Sequence, residues 1–378
     1  MSDLRELAVS CMCGAATHTF NVPTTSLPLP THLCSCNISR RISGSLLTSY
    51  VNITHGSNPP KPDVTALTRY KSSDVLTRYF CSTCGTQMYL EYNHDGHFEA
   101  ATGALHVDST DDIVDYRAHI WIADTPDGGA SQFITHINGK EPKRYLQEPG
   151  QSELVPLEWH APPSTTKVDK QERIYAHCHC KGVEFYISPP NEASKSAESP
   201  YADLLVPYRT GSSANPNNHP WWLPGHGRFL AGTCACDSCR RSSGFDITFW
   251  AFIPATNVTL DAAGTQAFKR NPYWGTMKTY RSSHNVTRTF CGTCGANIFW
   301  DGDERPSLVD IAVGLLDAER GARAEELLAW WPHRVSFDED ALNKGLIGGL
   351  RKGILDWGER NKDAEYVAKG IGGAFPTS

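Results

Sequence analysis

The sequence has no long apolar run, no long basic run and no cysteine standing alone. Each absence removes a class of protein. No stretch nears the roughly 20 apolar residues that a membrane span requires. Lys and Arg are not clustered as a duplex-binding surface needs, and the net charge is −6, so no nucleic-acid partner is expected. The first ten residues hold no apolar core followed by a cleavage site, so no signal peptide is expected. Charged residues make up 20% and hydrophobic ones 40%, the balance of a globular chain and not a disordered one. At 378 residues, two domains can each bury a core.

What the chain does have is thirteen cysteines in short clusters that come in the same order twice. The first half carries Cys11 and Cys13, then Cys34 and Cys36, then Cys81 and Cys84. The second carries Cys178 and Cys180, then Cys234, Cys236 and Cys239, then Cys291 and Cys294. Thiols one or two residues apart can close a tight chelate ring on one zinc. An odd count, a large chain and no signal peptide disfavour a disulfide framework. A reducing compartment is expected, cytoplasm or nucleus.

The repetition extends beyond the thiols. The run YKSSDVLTRYFCSTCG (70–85) aligns without a gap to YRSSHNVTRTFCGTCG (280–295). CNISRRISG (36–44) aligns equally cleanly to CDSCRRSSG (236–244). Two matches in one order indicate a duplicated domain. Periodicity is mostly strand-like, as at Phe20 and Val22 or Val183, Phe185 and Ile187, so the fold is expected to be mainly β.

We expect a first domain over residues 1–147, a proline-bearing linker over 148–170, a second domain over 171–340 and a tail over 341–378. The tail has helical apolar spacing (Leu342, Leu346, Ile347, Leu350, Ile354, Leu355), which its glycines weaken. The second domain carries an insertion over 189–230. It separates Cys178 from Cys234 by 56 positions, where Cys11 and Cys34 are 23 apart. Its paired Trp221 and Trp222 suggest a wall or lid over a ligand pocket.

Two kinds of metal site follow from the counts. Cys11, Cys13, Cys81 and Cys84 supply four thiolates, as do Cys178, Cys180, Cys291 and Cys294, and four close a tetrahedral structural zinc. Cys234, Cys236 and Cys239 supply three, leaving a position either open for substrate or closed by a ligand such as His226 or His284. In the first half Ser39 stands where Cys239 stands in the second, so a fourth site on Cys34 and Cys36 lacks its third thiolate; His32 is a candidate substitute. Catalysis is therefore expected in the second domain. The Arg40-Arg41 and Arg240-Arg241 pairs adjoin these runs. Arg240 and Arg241 can hold a substrate carboxylate, or simply stabilise the loop.

The order of these motifs resembles the glutathione-dependent formaldehyde-activating enzyme family, also called the centromere protein V family. The resemblance covers both repeats, with Ser39 as the departure. It implies tandem domains of small coiled antiparallel sheets (Mss4-like), a structural and a catalytic zinc in a complete domain, and carbon–sulfur lyase chemistry on a glutathione-type thiol adduct. On this reading the catalytic residues are Cys234, Cys236, Cys239, Arg240 and Arg241. The rival is a non-catalytic zinc scaffold, since the family includes a chromatin-associated member.

Overall fold

The computed structural model describes residues 3–54, 61–162, 173–202, 204–205 and 214–361. The N-terminal half opens with a hairpin of Leu4–Ser10 and Thr17–Pro23, whose turn carries Cys11 and Cys13. Phe20 and Val22 point inward from it, as their alternation requires. A five-stranded antiparallel sheet follows in the order Tyr50–Asn52, Phe98–Ala101, Gln87–Tyr92, Leu76–Cys81, Leu67–Lys71.

The C-terminal half builds corresponding strands but joins them into one seven-stranded sheet. There Phe229–Cys234 pairs with Thr248–Pro254 over four residue pairs, whereas in the first half a single bridge, Cys34 to Thr48, does that job. The expectation of antiparallel sheets alone is corrected in both halves. Leu29–Cys34 runs parallel to Val114–Ile120, and Phe229–Cys234 runs parallel to Leu328–Ser336. The returning strand reaches its partner only after most of a half has been traversed, the long crossover that parallel pairing demands.

Each half has one short helix, α1 (Asn37–Ser43) and α2 (Asp237–Ser243). Cys36 and Cys236 cap their starts, each sulfur accepting the backbone N–H three residues on. Gly44 and Gly244 end them at φ 71° and 73°, a backbone region open to glycine. These caps also meet the opposite half: Gly314 N–H donates to Gly44 C=O at 2.8 Å and Gly103 N–H to Gly244 C=O at 3.0 Å. A Cβ on Gly44 would stand 2.4 Å from the Asn297 carbonyl. Phe80 and Phe290, equivalent positions, pack edge to face between the halves at 6.3 Å.

The tail forms α3 (Lys344–Asn361) despite its glycines. Leu346, Ile347, Leu350, Ile354 and Trp357 are buried, Trp357 against Phe133 of the N-terminal half at 5.0 Å. Gly345, Gly349 and Gly353 form one stripe against residues 133–138, where a Cβ on Gly349 would lie 1.8 Å from the His136 carbonyl. The glycines permit close approach, which outweighs their poor helix propensity. Asp111 accepts from the backbone N–H groups of Lys344 and Gly345 at the helix start. Residues 148–162 of the expected linker lie along the N-terminal half, Val155 N–H donating to Arg144 C=O and Ala161 N–H to Pro126 C=O. The rest of the linker, 163–170, and the end of the tail, 362–378, lie outside the described residues.

Candidate functional site

The hairpin turn of each half brings its two thiols to the turn after the Leu76–Cys81 or Val286–Cys291 strand. The sulfurs of Cys11, Cys13, Cys81 and Cys84 lie within 4.8 Å of one another, as do those of Cys178, Cys180, Cys291 and Cys294. Neighbouring sulfurs are 3.5 Å apart between Cys11 and Cys13 and 3.6 Å between Cys13 and Cys81. Cys178 to Cys180 and Cys180 to Cys291 both measure 3.5 Å. Four 2.3 Å zinc–sulfur bonds in a tetrahedron set this spacing at about 3.8 Å, so both donor sets fit zinc. Backbone N–H groups add support, Ala16 to Cys11 at 3.3 Å and Val183 to Cys178 at 3.4 Å. The C-terminal centre also touches the other half's territory: Tyr70 bonds the His179 ring at 2.7 Å, beside Cys178 and Cys180.

Cys234, Cys236 and Cys239 form a third group within 4.8 Å, one thiol from the end of a strand, one capping α2 and one on its first turn. Neither His226 nor His284 joins it among the described residues. The group opens on a cavity of ≈ 400 Å³ walled by Leu204, Trp250, Phe252 and Trp300, with Arg288 and Asp340 as polar members. A further cluster, His94, Asp95 and His97, sits on a turn in the N-terminal half, far more exposed than the thiol groups.

Arg288 is the residue that reading by motif overlooked. It is buried, and its guanidinium donates to the Cys239 sulfur at 3.3 Å and to Ser238 Oγ at 3.0 Å. Hydrogen bonds from the Cys234 and Cys236 thiols, and then the Arg288 charge, hold Cys239 well below the usual thiol range. Burial opposes the charge of Arg288, but the three sulfurs outweigh it and push the guanidinium up. The signal was present, since an arginine stands at the same place in both aligned segments, as Arg78 and Arg288.

Arg240 and Arg241 do not line this cavity. Arg240, 2% exposed, turns to the other half and donates to the carbonyls of Gly103 and Leu105 while pairing with Asp237. Arg241 reaches Asp237 and the His106 ring. Arg41 does the reciprocal work, donating to Leu315 C=O and to Asp317 at 2.6 Å. The expectation that Arg240 and Arg241 hold substrate is thus corrected: their reach is set by the interface between halves.

The paired tryptophans are likewise set back. Trp222 is fully buried with its N–H on Ser194 C=O at 3.0 Å, and Trp221 packs behind the wall residue Phe252 at 5.0 Å. Leu204 is what the insertion gives the cavity; residues 203 and 206–213 lie outside the described residues. Cys34 and Cys36 assemble no group of three ligands among the described residues, and His32 does not complete one. Ser39 Oγ lies 3.6 Å from the Cys34 sulfur.

The sequence profile of the glutathione-dependent formaldehyde-activating enzyme family matches residues 6–124 and 227–332. The chain belongs to this family. The matched segments hold Cys11, Cys13, Cys81 and Cys84 in one half and Cys234, Cys236, Cys239, Cys291 and Cys294 in the other. No curated protein sequence matches the chain. Among solved structures, a Rhodobacter sphaeroides protein aligns over 41% of this chain and 98% of its own, at 17% identity and a TM-score of 0.23. Family membership and the cysteine groups together give a glutathione- and zinc-related biochemical role. No helix among the described residues is long and apolar enough to cross a membrane.

Proposed function

We propose that this chain is a zinc-dependent carbon–sulfur lyase, or catalyses the reverse addition, on a glutathione-type thiol adduct. The observation that carries the reading is the three-cysteine group opening on a cavity, beside two four-cysteine groups that have no open side. Cys234, Cys236 and Cys239 would hold the catalytic zinc, and the other eight cysteines two structural ones. A zinc held by three thiolates offers a free position that favours a substrate sulfur as thiolate.

The chain's own residues supply the rest. In the lyase direction the adduct's carbon–sulfur bond breaks, its hydroxyl proton leaves and a carbonyl compound and a thiol result. Asp340 is the cavity carboxylate with no ion-pair partner among the described residues, whereas Asp310 is held by Arg305 and Asp237 by Arg240. Partial desolvation at the cavity rim, with the negative charges of Cys236, Glu339 and Asp237, raises its carboxyl, which suits a group that takes and returns a proton. Arg288 balances the negative charge that collects on sulfur. Trp250, Phe252 and Trp300 keep water from the reacting carbon.

The same reading takes residues 1–147 and 171–340 as tandem Mss4-like copies, the first without catalysis, in a cytoplasmic protein. The reciprocal contacts of α1 and α2 and the thirteen free thiols support it.

The test combines zinc per chain, before and after a chelator wash, with carbonyl release from the hydroxymethyl adduct of glutathione. The expected result is two retained zincs, a third that is removable, and turnover that follows the third. Cys239→Ser should lose the third zinc and the turnover while staying folded. Two zincs with no removable third would leave a non-catalytic zinc scaffold as the better account.

A further inference from the structure

The half without a third cysteine keeps the larger cavity, ≈ 660 Å³ against ≈ 400 Å³. One row of side chains contributes to the difference. In the C-terminal sheet Arg288 stands opposite Trp300, and Trp300 opposite Asp310. In the N-terminal sheet Arg78 stands opposite Leu90, and Leu90 opposite Glu99. Residues in one row across a sheet share a face, and each row lines its own cavity. Leu90 in place of Trp300 removes the bulk of an indole from the middle.

The charges at the two ends are more closely satisfied in the C-terminal half. Arg288 bonds the Cys239 sulfur, and Asp310 is held by both arms of Arg305 at 2.8 and 2.9 Å. In the N-terminal half Ser39 offers a neutral hydroxyl instead. Arg78, 2% exposed, donates to Ser39 Oγ at 3.2 Å and Tyr50 Oη at 3.0 Å, and its buried Nε meets no acceptor. Among the described residues no carboxylate pairs with it. The nearby Cys36 sulfur caps α1 by accepting the Ser39 N–H at 3.3 Å. The Cys34 hydrogen bond, with the Arg78 charge as a smaller cause, holds the Cys36 thiol down to about 6, so it offers Arg78 a partial counter-charge. At the far end, Glu99 has the His97 ring at 4.0 Å, and burial pushes its carboxyl up to about 7. Two other charges on the wall have their own partners, Arg117 with Asp115 at 2.8 Å and Asp124 with the Asn37 N–H at 2.8 Å, while Glu148 also lines the cavity.

Buried charges without close ion pairs are costly, and here two groups of opposite sign face one cavity: Arg78 with no carboxylate partner among the described residues, and Glu99, 22% exposed, with only the His97 ring at 4.0 Å. Strands about 4.8 Å apart put their Cα atoms about 10 Å from each other, with Leu90 between. We infer that the N-terminal cavity is a metal-free binding site for a small zwitterion, an apolar α-amino acid. Its carboxylate meets Arg78 with the Ser39 and Tyr50 hydroxyls, its ammonium meets Glu99, and its side chain lies over Leu76, Leu90 and Tyr92. The site is independent of the lyase reading, since no residue of the three-cysteine group lines it.

Calorimetry on the full-length, zinc-loaded protein tests this with three matched probes. L-Phenylalanine carries both charges, 3-phenylpropanoate lacks the ammonium and 2-phenylethylamine lacks the carboxylate. L-Phenylalanine is expected to bind, and each analogue at least about tenfold more weakly. Arg78→Gln and Glu99→Gln should each remove binding. Leu90→Trp keeps both charges and refills the cavity as Trp300 does, so it too should remove binding while zinc content stays unchanged. Cys239→Ser should leave binding as it was. No binding up to about 10 mM, binding indifferent to Arg78, Glu99 and Leu90, or binding lost with Cys239 would each overturn the inference.

Discussion

Arg288 donates to the sulfur of Cys239 at 3.3 Å, joining a strand residue to a thiol 49 positions earlier in the chain. Three thiolates and one zinc carry a net charge of −1, and this buried guanidinium is its counter-charge.

Arg288→Gln should therefore loosen the third zinc specifically. We expect faster loss of one zinc per chain to a chelator and a fall in turnover of about a hundredfold, the scale of losing one positioned charge in a dry site. The other two zincs should stay. Turnover within a factor of two of wild type would remove Arg288 from the site.

Arg240→Gln tests the opposite assignment. This side chain serves the carbonyls of Gly103 and Leu105 across the interface. Losing it should cost about 1–3 kcal/mol in denaturant unfolding and leave KM for the adduct unchanged. A rise in KM with stability intact would return Arg240 to substrate binding.

The cysteine groups were legible because chelation is local: ligands one to three residues apart declare themselves, and the repeat supplied the pairing. The Arg240 and Arg241 roles were not, because α2 meets Gly103, and a residue 137 positions from Arg240 leaves no mark in the motif. Arg288 was half legible, being retained in both copies but inside a β-strand, where nothing local shows which face it takes. The tail glycines read as helix weakness, since propensity describes an isolated helix and the partner backbone at residues 133–138 was out of view.

Those glycines give a prediction with two signs. Gly348 has nothing within 4 Å of where a Cβ would stand, and Gly349 has the His136 carbonyl at 1.8 Å. Gly348→Ala should stabilise by about 0.5–1 kcal/mol, whereas Gly349→Ala should destabilise by more than that. Thermal unfolding of the pair decides it, and equal shifts in one direction would mean that α3 packs elsewhere.

Glu99 ties stability to pH. Its folded carboxyl lies near 7 against an ordinary 4.5, so the folded state holds this proton more tightly than the unfolded one. Stability then falls as pH rises from about 4.5 to 7, by up to about 3 kcal/mol from this group. Glu99→Gln, measured without added ligand, should gain on wild type across that window and hold its advantage above it. A difference that stays flat from pH 5 to 8 would contradict the burial of Glu99.

The docking of each short helix end, at Gly44 and at Gly244, on the opposite half has a consequence for what each half can become. Two separate subunits joined about a two-fold axis must carry one sequence, so a serine in one site is a serine in both. Here the partners are covalently continuous. Dilution cannot part them, and Ser39 can line one chamber with Leu90 while Cys239 lines another with Trp300, two unlike chambers in one chain.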